Sequence, residues 1–201
     1  MNKYRFSGVA TRRGAAHGGF TLVELIVTLA IMAILATLAA PPLRTLLIKR
    51  TVSNQADALG AALRLARSEA IKRGQPVTIC ASPAPEAAQP QCAKGGATNW
   101  ATGWLIFVDH DNNRGQFDNG ETLLKVQAPF RTSGALNNNA TSNITYRANG
   151  MMLPLAMSTF TVLPDSKDSP AAMADIIRCV AIGTGGRVHI SKPDSKGECS
   201  K

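Results

Sequence analysis

Aromatic residues make up only 5% of this 201-residue chain, so a wide ligand pocket walled by rings is not expected. Histidine is scarce: His17, His110 and His189 are the three present, and none belongs to an H-E-x-x-H pattern. No G-x-S-x-G elbow and no G-x-x-x-x-G-K-[ST] phosphate loop occurs. An enzyme is therefore not expected, and no catalytic residue or cofactor is assigned. The four cysteines include no C-x-x-C pair, which removes the usual zinc spacing, so no metal ligands are assigned either. Acidic residues are missing before residue 24, where Lys3, Arg5, Arg12 and Arg13 lie. Those four account for part of the net charge of +9 and leave +5 for the rest. That excess permits contact with phosphates or anionic lipid without requiring it.

Long apolar runs are also missing, with one exception. Residues 18–47 read GGFTLVELIVTLAIMAILATLAAPPLRTLL, and between 20 and 40 the only charge is Glu24. About 20 apolar residues are what a helix needs to cross a bilayer. A lone carboxylate in such a helix costs roughly 2.5–3.5 kcal/mol at the membrane centre and less near an end. Its partner therefore has to be found. The basic residues upstream place the N-terminus in the cytoplasm and the bulk of the chain outside. That side is oxidising in bacteria, so disulfides are expected. Cys80, Cys92, Cys179 and Cys199 allow three pairings. The local one, Cys80–Cys92 with Cys179–Cys199, closes short loops and is the expected one.

Residues 1–19 are polar, basic and without periodicity, and they read as a leader. A secretory cleavage site at Ala39 or Ala40 would be followed directly by Pro41. The leader instead ends at Gly18-Gly19, before Phe20-Thr21-Leu22-Val23-Glu24. G-F-T-L-V-E-L at the head of an apolar helix resembles the class III signal of type IV pilins and pseudopilins. The resemblance implies that a prepilin peptidase cuts after Gly19, that the new N-terminal Phe20 is N-methylated, and that Glu24 is the assembly residue. Physical logic agrees. Cleavage creates an ammonium at Phe20, which can neutralise the Glu24 carboxylate of its own or a neighbouring subunit. An uncleaved anchor with an incidental Glu is the competing reading, and the cost of the charge weighs against it.

Pro41-Pro42 interrupts the segment, where a kink or local melting is expected. Beyond it Val52, Ala56, Leu59, Leu63, Ala66 and Ala70 follow a 4-3-4-3-4 spacing, one apolar helical stripe. Arg64, Arg67, Lys72 and Arg73 lie mostly off it. Glu69 and Arg73 form an i,i+4 pair. Gly74 is the expected C-terminal cap, and Pro76 prevents continuation. The stripe is too short and Ala-rich for a sustained coiled coil, so packing on the protein's own sheet is favoured.

After Gly74 the pattern turns to short β runs at 77–81, 104–109, 121–127, 144–147, 159–163, 176–182 and 187–191, separated by Gly, Asn, Pro or Asp. No crossover helix fits between them, so an antiparallel meander or a pair of small sheets is expected. Pro83 and Pro85 end the first strand and open a Pro/Ala-rich loop that a Cys80–Cys92 bridge would pin. Four segments result: a leader at 1–19, a transmembrane and assembly helix at 20–45, its amphipathic continuation at 46–74, and a β-rich domain at 75–201.

Asp109-His110-Asp111-Asn112-Asn113-Arg114-Gly115 starts like a calcium loop, but Arg114 stands where Gly is required and Gly120 where the last acid should be. A strand-connecting turn is the favoured reading. Gly103-Trp104-Leu105-Ile106-Phe107-Val108-Asp109, followed by Asp111 and Asn113, resembles the G-W-x-x-F-x-D region of the GspH/FimT subgroup of minor pilins. Near the C-terminus, residues 183–186 read as a hairpin connection. Arg187 and His189, two apart on the next strand, share a face. FimT-type minor pilins implicated in DNA uptake carry G-R-x-R near this position; here Gly186 and Arg187 match, and His189 replaces the second Arg. Neutral His attracts phosphate less than Arg does at pH 7. Arg178, Lys192 and Lys196 could add to a basic patch there, or these are solvated strand and tail charges.

The expected fold is thus α+β, a long N-terminal transmembrane helix packed on an antiparallel β-sheet domain. The resemblance implies a minor pilin or pseudopilin of the GspH/FimT family, anchored once in the bacterial inner membrane with its globular domain periplasmic. Its implied partners are other pilins, prepilin peptidase, the inner membrane and double-stranded DNA. The machine is a type II secretion pseudopilus or a type IV pilus, and the cysteines and the Gly186-Arg187 turn favour the pilus. The competing class is a membrane-anchored periplasmic binding domain that never assembles.

Overall fold

The computed structural model describes residues 19–199 apart from 96–97, 111–112, 119, 131–133, 139–140, 154–156 and 167, with the side chains of 38–42 and 98 also left out. The leader up to Gly18, and Asp111 and Asn112 of the turn, lie outside the described residues. One helix, α1 (Leu22–Arg73), dominates the N-terminal part. It starts where Thr21 caps it: the Thr21 hydroxyl accepts from the Glu24 N–H at 3.2 Å. Thr and Glu three apart are half of a capping box, in which the N-cap oxygen satisfies an amide that has no helical partner. The helix stops at Arg73 because Gly74 follows at φ 65°, the left-handed conformation in which glycine terminates helices. The helical assignment continues through Pro41 and Pro42, so the melting expected there is not observed. Among the described residues no helix is long and apolar enough to cross a membrane. The apolar run itself continues through 38–42, whose side chains are not described.

The chain divides into two compact units, residues 1–43 and 44–201. The second holds the core. Val52, Ala56, Leu59, Leu63, Ala66 and Ala70 of the expected stripe are each at most 1% exposed. They join one apolar cluster with strand residues, so the stripe packs on the protein's own sheets. The Glu69–Arg73 pair forms at 2.7 Å.

The strands build two five-stranded sheets in which every pairing is antiparallel. The first contains β1 (Val77–Ala81), β3 (Trp104–Val108), β4 (Thr122–Gln127), β6 (Asn143–Tyr146) and β7 (Met152–Leu153), in the order β4-β3-β1-β6-β7. The second contains β2 (Thr98–Asn99), β5 (Leu136–Asn138), β8 (Ser158–Val162), β9 (Arg178–Ile182) and β10 (Val188–Ser191), in the order β10-β9-β8-β5-β2. Seven of these match expected runs to within about two residues. β2, β5 and β7 were not expected, nor were the 3-10 turns Trp100–Thr102 and Ala171–Met173.

β1 and β3 are buried throughout, because both their faces are covered. Val77, Ile79, Trp104 and Ile106 enter the main core. Cys80, Leu105 and Phe107 face a small second cluster closed by Cys92 and Phe117. Such continuous burial explains why these strands read as unbroken apolar runs rather than alternating ones. Trp100 and Phe160 meet edge-to-face with centroids 5.0 Å apart, linking the 3-10 turn to the second sheet.

Candidate functional site

Among the described residues, two places outside the core stand out. The first is the start of α1. Phe20 is 81% exposed, and Leu22, Val23, Leu25, Ile26, Val27, Leu29, Ile31, Met32, Ile34 and Leu35 are all exposed. A surface helix of a globular protein keeps its apolar residues on one stripe; this segment is apolar all round, the pattern of a helix that is covered on every side. Its hydroxyls are satisfied internally: Thr28 donates to the Leu25 carbonyl at 2.9 Å and Thr37 to the Ile34 carbonyl at 2.7 Å. The Glu24 carboxylate, in the first turn, has no hydrogen-bond or ion-pair partner among the described residues. Its position suits the positive end of the helix dipole. Gly19 has nothing within 4 Å of where a β-carbon would stand, and it directly precedes exposed Phe20.

The second place is an open groove of about 420 Å³ lined by Arg64, Arg67, Ser68 and Ile71 of α1 and by Gly186, Arg187 and Val188. The turn between β9 and β10 closes through Gly186 N–H to Gly183 carbonyl at 2.8 Å and Gly183 N–H to Arg187 carbonyl at 3.0 Å. Gly186, buried at φ 74°, lets the turn approach the rest of the domain: a β-carbon there would lie 2.4 Å from the Gly150 carbonyl oxygen and 3.1 Å from Arg67 Nε. Arg67 Nε donates to that same Gly150 oxygen at 3.0 Å, which fixes the guanidinium beside the turn. Tyr146, next to it, is buried, and burial pushes its phenol well above the ordinary value despite the nearby Arg67 charge.

The structure divides the expected basic patch. Arg187 is exposed and lines the groove. His189 is exposed on β10, opposite Ala181, and does not line the groove. Arg187 directly precedes the strand, and Arg187 and His189 are exposed while Val188 and Ile190 are half-buried, yet only Arg187 of the two lines the groove. Arg178 turns its Nη1 onto the carbonyls of Asp175, Ile176 and Ile177 at 2.9, 3.1 and 2.8 Å, satisfying the end of the turn that precedes β9. Lys192 binds Asp175 at 2.7 Å, and Lys49 binds the other carboxylate oxygen. The lysines hold the Asp175 carboxyl far below the usual carboxylate range, Lys192 most strongly.

The cysteines pair locally, Cys80 with Cys92 and Cys179 with Cys199, with Cα atoms 5.5 and 5.6 Å apart. The turn after β3 uses Asp109 as its organiser. Asp109 is 1% exposed and accepts from Thr78 Oγ1 at 2.5 Å and from the Gly115 N–H at 2.9 Å. Among the described residues no group of acidic, His or Cys side chains is arranged to hold a metal ion.

Comparison with known proteins bears on these features. A family model described as "Type II transport protein GspH" matches residues 55–194. This chain belongs to the GspH family. A second model, the prokaryotic N-terminal methylation motif, matches residues 15–40, which include Gly19, Phe20 and Glu24. Among solved structures, the Pseudomonas aeruginosa type IV minor pilin FimU in space group P21 aligns with 23% identity and a TM-score of 0.51, over 72% of this chain and 93% of that one. FimU in space group P65 gives 23% identity and 0.49, over 71% and 98%. The first alignment establishes a pilin-type fold for this GspH-family protein. No curated protein matches the sequence significantly.

Arg64 and Arg67 are the groove residues that sequence reading passed over. Their signal was present: an i,i+3 pair of like charges on one helix face, which by itself destabilises a helix. What the sequence does not display is that the expected turn at 183–186 lies against them.

Proposed function

We propose that this GspH-family protein is a minor pilin or pseudopilin, held in the bacterial inner membrane by the start of α1 and then assembled with other pilins into a type IV pilus or a type II secretion pseudopilus. The observation that carries this reading is the exposed, all-round apolar start of α1 with a single unpartnered carboxylate in its first turn. A surface of that kind is stable only when lipid or other helices cover it. Cleavage by prepilin peptidase after Gly19 and N-methylation of Phe20 place an ammonium four residues from Glu24. The carboxylate of one subunit then meets the N-terminus of itself or of a neighbour as the helices pack, and the cost of burying it is offset.

Two measurements test this reading. The intact mass of the mature protein should correspond to loss of residues 1–19 plus one methyl group; a chain beginning near Pro41 would refute the assignment. Glu24→Ala should abolish co-assembly with partner pilins while the anchored subunit persists in the membrane fraction. Normal incorporation of that variant would instead identify an anchored periplasmic domain that does not assemble.

A second activity, binding of double-stranded DNA, is supported by one observation: Arg187 stands exposed at the groove with no acidic neighbour in its lining. Binding by the full chain in detergent should be salt-sensitive, and Arg187→Ala should weaken it and lower that sensitivity. Undiminished binding by the variant would move the DNA contact elsewhere.

A further inference from the structure

We infer that the groove between α1 and the β9–β10 turn is a two-sided phosphate clamp, in which Arg64 and Arg67 of the helix act together with Arg187 of the turn. The inference rests on the nucleic-acid reading above and gives that site its chemistry: successive phosphates of an extended polyanion, gripped from both sides.

Several independent features converge. Three guanidiniums line one groove, and no carboxylate lines it with them. Four other cations of this domain are paired, Lys49 and Lys192 with Asp175 and Lys72 and Arg73 with Glu69. Arg64 and Arg187 have no hydrogen-bond or ion-pair partner among the described residues. Arg67 uses only Nε, on the Gly150 carbonyl, so its two terminal nitrogens remain for a ligand while the bond sets its direction. Arg64 is likewise positioned. Its Nη1 and Nη2 lie about one van der Waals contact from where a β-carbon of Gly60 would stand, 3.5 and 3.3 Å, so the missing side chain at Gly60 gives the guanidinium room. Gly186 thus thins the turn's side of the groove beside Arg67, and Gly60, one helical turn before Arg64, leaves that guanidinium room.

The chemistry of the lining selects the ligand. Guanidinium forks match phosphate oxygens with two parallel hydrogen bonds. Three positive charges without a counter-charge exceed what one carboxylate can neutralise, and they suit a chain that brings one charge after another. Ile71 and Val188 add apolar lining, suited to the hydrocarbon of a sugar and unable to compete for the phosphates. The groove is open, so a long chain can lie across it rather than having to enter by its end.

The test uses the detergent-solubilised full chain with two probes, a short fluorescent DNA duplex and inorganic tripolyphosphate. Arg64→Gln should weaken duplex binding about tenfold, the scale of one charge-assisted hydrogen bond. It should also reduce the slope of log K against log salt by about 1. Arg64→Lys should fall between, keeping charge but losing the fork. Lys125→Gln, the same charge change at an exposed site on β4, should leave affinity unchanged. Arg64→Gln and Arg187→Gln should be non-additive, as expected for residues that hold one ligand. Duplex binding that is tight, depends on Arg187 and ignores Arg64→Gln would overturn the clamp while leaving the nucleic-acid reading intact. No duplex binding together with Arg64-dependent tripolyphosphate binding would overturn the nucleic-acid reading and leave a phosphate site. No binding of either probe would overturn both.

Discussion

Gly186 sets the distance between the β9–β10 turn and its neighbours. With φ at 74° and the Gly150 carbonyl 2.4 Å from any added β-carbon, both conformation and space exclude a side chain. Gly186→Ala should therefore destabilise the domain by about 1–3 kcal/mol or more. Gly183→Ala, three residues away with nothing within 4 Å, should change stability by less than about 0.5 kcal/mol. Urea unfolding of the two variants side by side checks the contrast. Asp109 is a second such residue. Asp109→Ala would orphan the Gly115 N–H and remove one partner of Thr78, whose hydroxyl also lies 2.6 Å from that of Thr145. The cost should be about 1–3 kcal/mol. The residue types at 109–115 already announced a turn rather than a calcium loop, because the glycine and the final acid of such a loop are missing. That Asp109 folds inward to hold the turn could not be read, since the Thr78 it binds is distant in sequence. Lys192 was hidden by the same separation from Asp175, whereas Arg178 bonds carbonyls just before it, whose direction depends on the local backbone. Charge is visible in a sequence, but whether it is already spent on a carbonyl or an aspartate depends on the packing of residues 175–177.

Among the elements, the second half of α1 was the most legible, since a 3.6-residue period survives any tertiary context and all six stripe positions are buried. Leu59→Ala or Leu63→Ala should cost about 2–5 kcal/mol, the range for emptying a leucine site in a packed core. The longer strands were legible because β-branched and aromatic residues cluster between turn formers. β2, β5 and β7 were not: they have two or three residues, and Leu136–Asn138 carries two asparagines, which strands disfavour. They exist because neighbouring strands offer them hydrogen bonds, which is a property of the sheet. The disulfide loops belong to this scale too. Cys80–Cys92 spans 12 residues, for which chain-entropy arguments give about 2–4 kcal/mol. A Cys80→Ala/Cys92→Ala double variant should lose about that much in urea unfolding and should expose the loop at 83–91 to proteases.

For the molecule as a whole, the surface ion triad at Asp175 predicts a response to acid. Asp175 is drawn below its ordinary value of 3.8 by the hydrogen bond from Lys192 first and that from Lys49 second. A carboxyl depressed in the folded state stabilises fully above its unfolded value and loses that contribution as pH falls through the folded one. The effect should therefore be complete above about pH 4 and fade below it. Asp175 is largely exposed, so water and salt screen both pairs and the effect is small. Thermal melts of Asp175→Asn should lie slightly below the parent at neutral pH and converge with it in acid, giving a flatter acid limb.

On the proposed route across the inner membrane, the two bridges would make this protein a record of its own passage. It would hold four thiols before export and none afterwards, because Cys80–Cys92 and Cys179–Cys199 use all four. Each bridge removes two hydrogens, so alkylation of unreduced protein followed by mass measurement would sort a cell's molecules into those that have crossed and those that have not. A subunit stalled on the cytoplasmic side would accept four alkyl groups, and one already delivered would accept none. The staples that hold the domain would thereby date that proposed passage.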